Sequence, residues 1–159
     1  MIASTYQAVS GSGAQVIIQL EEQMAAISKG EPVVSTVYPR QIAFNVIPQV
    51  DEFTESGYTK EELKMLNEGR KILDLPELKV SCTCVRVPVY RSHSISITAQ
   101  FERPVDVVSA HASFDGKPGV KLADDPANMV FPVPLDTTGK DDCLVGRVRK
   151  NTVFKNALD

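Results

Sequence analysis

Apolar positions recur with two different periods along this chain, and the changes between them mark its elements. The opening "STYQAVSGSG" predicts a short strand that breaks at Ser10-Gly11-Ser12-Gly13. Ile17, Leu20, Met24 and Ile27 then fall at helical spacing, so a helix follows the small-residue turn. The β-branched and aromatic runs "VVSTVY" and "QIAFNVIPQV" predict two strands separated by Pro39. In "TKEELKMLNEGRKILD", Thr59 and Glu62 have capping-box spacing and Leu63, Leu66 and Leu73 supply an apolar stripe, which predicts a second helix. Glu68 and Lys71 share one side of that helix, away from the leucines.

The second half of the chain changes period. "LKVSCTCVRVPVY" reads as a strand, and Ile95, Ile97, Ala99 and Phe101 alternate with Ser96, Thr98 and Gln100, which predicts a strand with one buried and one polar face. "VDVVSAHASFDG" predicts a short helix ended by Gly116, with brief strands near "VKLAD", "NMVFP" and "CLVGRVRK". The stretch "DDPANMVFPVPLDTTGKDD" is loop-like. Two clear helices without β-α-β regularity predict a single α+β domain over residues 1–159, with helices on one face of a largely antiparallel mixed sheet.

Composition narrows the function classes. At 159 residues, 43% apolar and 23% charged, the chain can bury a core without a metal or disulfide staple and is not disordered in character. A net charge of −3 with interspersed signs provides no footprint for nucleic acid. The small basic group Arg147, Arg149, Lys150 and Lys155 reads as a solvated strand end. No apolar run approaches the ~18 residues of a membrane span, and no secretory leader pattern opens the sequence. An odd number of cysteines, three, points to reduced thiols in the cytoplasm.

Candidate chemistry concentrates in "CTCVRVPVYRSHS", Cys82 to Ser94. Cys82 and Cys84 point to one face of a strand and lack the paired knuckle spacing of a zinc site, so no metal is expected and buried core thiols are. Nothing places Cys82, Cys84 or Cys143 at a helix N-terminus or beside a histidine, the settings that activate a nucleophilic thiol. His93 stands at a strand junction, where an imidazole either decorates the surface or exchanges protons in a cleft near neutral pH. Arg86 interrupts an apolar strand, and a buried guanidinium requires an anion: an internal partner such as Glu68, or a substrate carboxylate or phosphate.

The segments "TYQAVSGSG", "IAFNVIPQVDEF", "GYTKEELKMLNEGRKIL", "CVRVPVYRSHS" and "VGRVRK", in this order, resemble the second half of the aspartate-semialdehyde dehydrogenase family. The resemblance implies the C-terminal fold of glyceraldehyde-3-phosphate dehydrogenase-like enzymes and a homodimer. It also implies an activity: reversible, NADPH-dependent reductive dephosphorylation of β-aspartyl phosphate to aspartate β-semialdehyde, on the route to lysine, threonine and methionine. By the same resemblance His93 matches the acid/base histidine and Arg86 the arginine that clasps the substrate α-carboxylate. Glu68 matches a glutamate facing the substrate amino group, Lys71 a lysine that helps bind phosphate, and Gln7 a glutamine that positions the substrate near the thiol. Ser10 and Gly11 match a turn that approaches the nicotinamide. His111 matches nothing and is expected on the surface. Ser92 stands where the family often has glycine, and Cys82 where alanine is usual.

The family's dinucleotide-binding domain, its Asn-Cys nucleophile and its terminal helix have no counterpart in these residues. The expectation is therefore a chain that binds no cofactor tightly and is inactive alone. Two other readings remain at this point: a non-catalytic assembly module that keeps the dimer surface, and a related reductase such as an N-acetylglutamyl phosphate enzyme.

Overall fold

A computed structural model describes every residue, Met1–Asp159. The elements run in the order β1 (Ile2–Gln7), a 3-10 turn (Val9–Ser12), α1 (Ala14–Lys29), α2 (Lys60–Ile72), β2 (Ser81–Arg86), β3 (Ser94–Gln100), α3 (Val107–Phe114), β4 (Val120–Leu122), a 3-10 turn (Pro126–Asn128), α4 (Pro134–Thr137), β5 (Cys143–Val145) and β6 (Ala157–Leu158). Four strands form one sheet in the order β2-β1-β3-β6, and β4 and β5 form a separate pair. The class is α+β, as the pattern predicts, and the pairing is mixed. The chain divides into two compact units, Ser4–Ile95 and Met1–Ala3 with Ser96–Asp159. No helix is long and apolar enough to cross a membrane.

In the unit Ser4–Ile95, the backbone N–H of Val87 donates to the carbonyl of Gln7, that of Val9 to Val89, and that of Ser10 to Tyr90. The constant offset makes the two segments run parallel, so the residues after β1 and after β2 travel side by side. Val9, Val16, Leu20, Ile42, Ala43 and Ile47 form the buried core, with Ile17, Met24, Ile27 and Tyr38 packed around it. The capping box at α2 forms as its spacing predicts: Thr59 Oγ1 accepts from Glu62 N–H, and Glu62 Oε2 accepts from Thr59 N–H at 2.8 Å. Glu62 does a second job, since its Oε1 accepts from the Cys84 backbone N–H at 2.9 Å and ties α2 to β2.

The two strands expected over "VVSTVY" and "QIAFNVIPQV" do not form, apart from one antiparallel bridge between Ile47 and Arg86. Two glutamines of α1 take the place of a strand partner. Gln19 Oε1 accepts from the backbone N–H groups of Thr36 and Val37, and Gln23 Oε1 from those of Ile42 and Ala43 at 3.0 and 3.1 Å. Gln23 Nε2 donates to the Val34 carbonyl and the Ser35 hydroxyl, which completes the bonding of a side chain only 1% exposed. Composition favoured strands here, but backbone groups need any partner rather than a ladder, and buried amides supply it.

In the other unit, β3 and β6 pair antiparallel, Ala99 opposite Leu158, and β4 and β5 pair parallel, Val120 opposite Cys143. The Asp106 side chain accepts from Ser109 N–H and starts α3, which ends before Gly116 in a left-handed conformation. "NMVFP" forms no strand: Met129 is left-handed after the 3-10 turn, and only Asp125 and Val130 bridge. His111, expected on the surface, is half-buried, because its Nε2 lies 2.9 Å from Asp124 Oδ2, which also accepts from Val148 N–H. Arg147, Arg149, Lys150 and Lys155 are exposed, as a solvated cluster should be. The alternation in β3 marks a strand correctly, yet its apolar face is open: Ile95, Ile97 and Phe101 are all above 40% exposed.

Candidate functional site

The chemistry-bearing residues of the unit Ser4–Ile95 converge on the peptide of Ala8, which is fully buried at the exit of β1. Its carbonyl accepts from Arg86 Nη1 at 2.7 Å, and its N–H donates to His93 Nδ1 at 2.9 Å. Arg86 closes β2, where its backbone exchanges two hydrogen bonds with Ile47, and His93 is carried back by the parallel run of residues 87–90 beside Val9 and Ser10. Ser92 makes the last turn with φ of 69°, a left-handed conformation easiest for glycine. That geometry accounts physically for the glycine that the resemblance places at this position.

Arg86 is 6% exposed and pairs with no carboxylate. Its guanidinium lies 5.9 Å from the Tyr38 ring centroid, and its Nε has no partner. The internal ion pair with Glu68 does not form, so a buried cation is left with an unmet anion requirement. Gly11 completes the enclosure. A methyl group there would stand 3.1 Å from both Arg86 Nη1 and His93 Nε2, so only a bare backbone keeps the space between them open.

His93 is held below its ordinary pKa by burial first and by the Arg86 charge second, with Glu61 opposing. Its ring is therefore neutral at pH 7. With Nδ1 accepting from Ala8, the neutral ring carries its proton on Nε2, beside Gly11, as a hydrogen-bond donor. For Nε2 to take up a proton, the ring must carry its hydrogen on Nδ1 instead and release the Ala8 N–H.

Gln7 is buried on β1; its Nε2 donates to Glu61 Oε1 at 3.1 Å, and its own Oε1 has no partner. Glu61 is the residue that sequence reasoning missed. The signal was present, because Glu61 lies seven residues before Glu68 and ten before Lys71, on the same helical stripe. Gln7, Gly11, Arg86 and His93 are thus brought together, and Ser10 adjoins them through its backbone bond to Tyr90. Glu68 and Lys71 are not: both are exposed farther along α2 and form no ion pair.

Cys82 and Cys84 are buried with their sulfurs 3.8 Å apart, and burial, reinforced by Cys84, pushes the Cys82 thiol up to about 12. Cys143 differs from the expected core thiols in being exposed. In the folded protein a disulfide reagent therefore titrates one thiol quickly, and the other two react only on denaturation. Fast native reaction of all three would contradict the burial. No group of three or more His, Cys, Asp or Glu side chains is placed to hold a metal ion.

The family model for the semialdehyde dehydrogenase dimerisation domain matches residues 1–159. The chain belongs to this family. It is 45% identical over 159 residues to the aspartate-semialdehyde dehydrogenase of Aquifex aeolicus, covering 99% of this chain and 47% of that protein. The Bacillus subtilis enzyme of the same name is 43% identical, with 95% of this chain and 46% of that protein covered. The crystal structure of Vibrio cholerae aspartate semialdehyde dehydrogenase II complexed with ASA superposes with a TM-score of 0.94 at 38% identity, over 99% of this chain and 46% of that one. The chain spans about half the length of the family members it matches.

Proposed function

We propose that this chain is the substrate-binding and dimer-forming part of an enzyme that interconverts β-aspartyl phosphate and aspartate β-semialdehyde with NADP(H) and phosphate. The observation that carries this reading is Arg86, a buried guanidinium without a protein anion, fixed beside a neutral histidine over a bare glycine. A substrate α-carboxylate supplies that anion, and a planar fork suits it better than a lysine would. Gln7 places the substrate with its unpartnered carbonyl oxygen; the exposed positions of Glu68 and Lys71 farther along α2 do not support the substrate roles that the resemblance gives them.

When bound, NADP(H) supplies hydride donation and acceptance. Ser10 and Gly11 fit its approach because Gly11 carries no Cβ to crowd Arg86 and His93. In the reductive direction Nε2–H of His93 faces the oxygen on which negative charge develops. In the oxidative direction Nε2 takes the hydroxyl proton after the Ala8 N–H bond is released. The open apolar face of β3, Ile95, Ile97 and Phe101, supports a homodimer, and the free thiols suit a reducing cytoplasm. A pure assembly module has no use for a buried, unpaired Arg86.

The test is phosphate-dependent reduction of NADP+ by L-aspartate β-semialdehyde in the complete enzyme carrying these residues. Arg86→Gln is expected to raise KM for this substrate about tenfold or more, as loss of a charged hydrogen bond does. An analogue without the α-carboxylate should bind wild type and variant alike. Equal KM for both substrates in the wild-type enzyme would remove the assigned role of Arg86.

A further inference from the structure

We propose that Tyr38 is a positioning residue for Arg86: its ring, tethered through its hydroxyl to Ser12, lies over the guanidinium and fixes the plane in which the fork meets a carboxylate. This rests on the function proposed above. Arg86 Nη1 donates to the Ala8 carbonyl at 2.7 Å, an oxygen that also accepts from Gly11 N–H at 3.3 Å. One bond fixes a point and not a plane. The guanidinium can still turn about that contact, and its buried Nε has no partner to stop it. A two-point grip on a carboxylate depends on the plane of the fork.

Tyr38 supplies the missing restraint. Its ring centroid lies 5.9 Å from Arg86 Cζ, with the guanidinium over the ring, and a cation within about 6 Å of an aromatic face is attracted to it. The ring is itself held along its length. The backbone just before it is fixed by Gln19 Oε1, which accepts from the N–H groups of Thr36 and Val37, and its body packs against the core.

The far end of the ring is fixed as well, because the Tyr38 hydroxyl donates to Ser12 Oγ at 2.9 Å. Ser12 ends the 3-10 turn Val9–Ser12, the same turn that carries Ser10 and Gly11. This bond is exposed, so it directs the ring more than it stabilises the fold. One side chain thus touches both the guanidinium and the turn beside it.

The discriminating variants are Tyr38→Leu, which removes the ring, and Tyr38→Phe and Ser12→Ala, which remove only the tether. In this 159-residue chain, NMR should show a ring-current shift of the Arg86 side-chain protons that Tyr38→Phe keeps and Tyr38→Leu abolishes. In the complete enzyme, Tyr38→Leu is expected to raise KM for aspartate β-semialdehyde about tenfold, with little change in kcat. Tyr38→Phe and Ser12→Ala each raise it about two- to threefold, and no further when combined, since they break one bond. An analogue without the α-carboxylate should bind all of these alike.

In an Arg86→Gln background, Tyr38→Leu should add nothing to KM. An unchanged KM in Tyr38→Leu, or an equal rise for the analogue, would make Tyr38 a packing residue and overturn the proposal. A rise that persists without Arg86 would overturn it too, as would a Tyr38→Phe effect as large as that of Tyr38→Leu, which would leave the ring no part. Absence of wild-type turnover would instead strike the functional reading, and the NMR comparison would still decide whether Tyr38 lies over Arg86.

Discussion

His93→Asn is expected to lower kcat for semialdehyde oxidation in the complete enzyme by about 10²–10⁴-fold, the range that loss of a positioned proton carrier produces, with little change in KM. Asparagine can still accept from the Ala8 N–H, and the Ala8 carbonyl still holds Arg86, so the pocket survives while proton exchange at Nε2 does not. The pH profile adds a second check. His93 titrates below the ordinary 6.5, so the acid limb of kcat/KM falls below that pH, and it should disappear in the variant. Neutralising Arg86 removes a repulsive charge and moves the limb upward. A loss of less than tenfold in His93→Asn, with the limb retained, would remove histidine from the proton transfer.

The same depression acts on stability with a definite sign. Above pH 6.5 the ring is neutral both folded and unfolded; as pH falls from 6.5 through the lower folded value, the unfolded ring binds a proton first, and stability is lost.

Gln23→Leu is expected to destabilise the chain by about 2–6 kcal/mol in urea unfolding. It orphans the buried N–H groups of Ile42 and Ala43, each at about 1–3 kcal/mol. Its bonds to Val34 and Ser35 go as well. The apolar replacement fills a similar volume, so the loss reports bonding rather than a cavity. Ile42 and Ala43 share their core with Leu20 and have Tyr38 packed against it, so the loosening also reaches the ring beneath Arg86. A change under about 1 kcal/mol, the worth of one ordinary hydrogen bond, would mean that other acceptors serve these amides.

Gln23 also explains where sequence reasoning stopped. Residues 33–50 carry strand composition, but the N–H groups of Thr36, Val37, Ile42 and Ala43 are met by two side chains from a helix ended before them, a relation that no period encodes. The alternation of Ile95, Ile97 and Phe101 identifies a strand, yet burial depends on what covers it, and nothing in this chain does. The candidate site was legible to a similar depth. Arg86 and His93 stand out as polar interruptions of apolar strands, and the resemblance assigns them roles. Glu61 was hidden because a glutamate in the first turn of a helix is ordinary there on capping grounds alone.

The sequence by itself determined α1, α2 with its Thr59–Glu62 box, the strand character of residues 81–86 and 94–100, and the family, because these depend on local periodicity and on segments read in order. Only the tertiary structure decided that Ala8 holds Arg86 and His93 with one peptide, across sequence separations of 78 and 85 residues. It also decided that the Arg86 guanidinium has no carboxylate and that the Gln7 amide donates to Glu61. The physical reason is that a side chain's partners are set by which backbones are brought alongside it, and here the parallel run of residues 7–10 beside 87–90 does so.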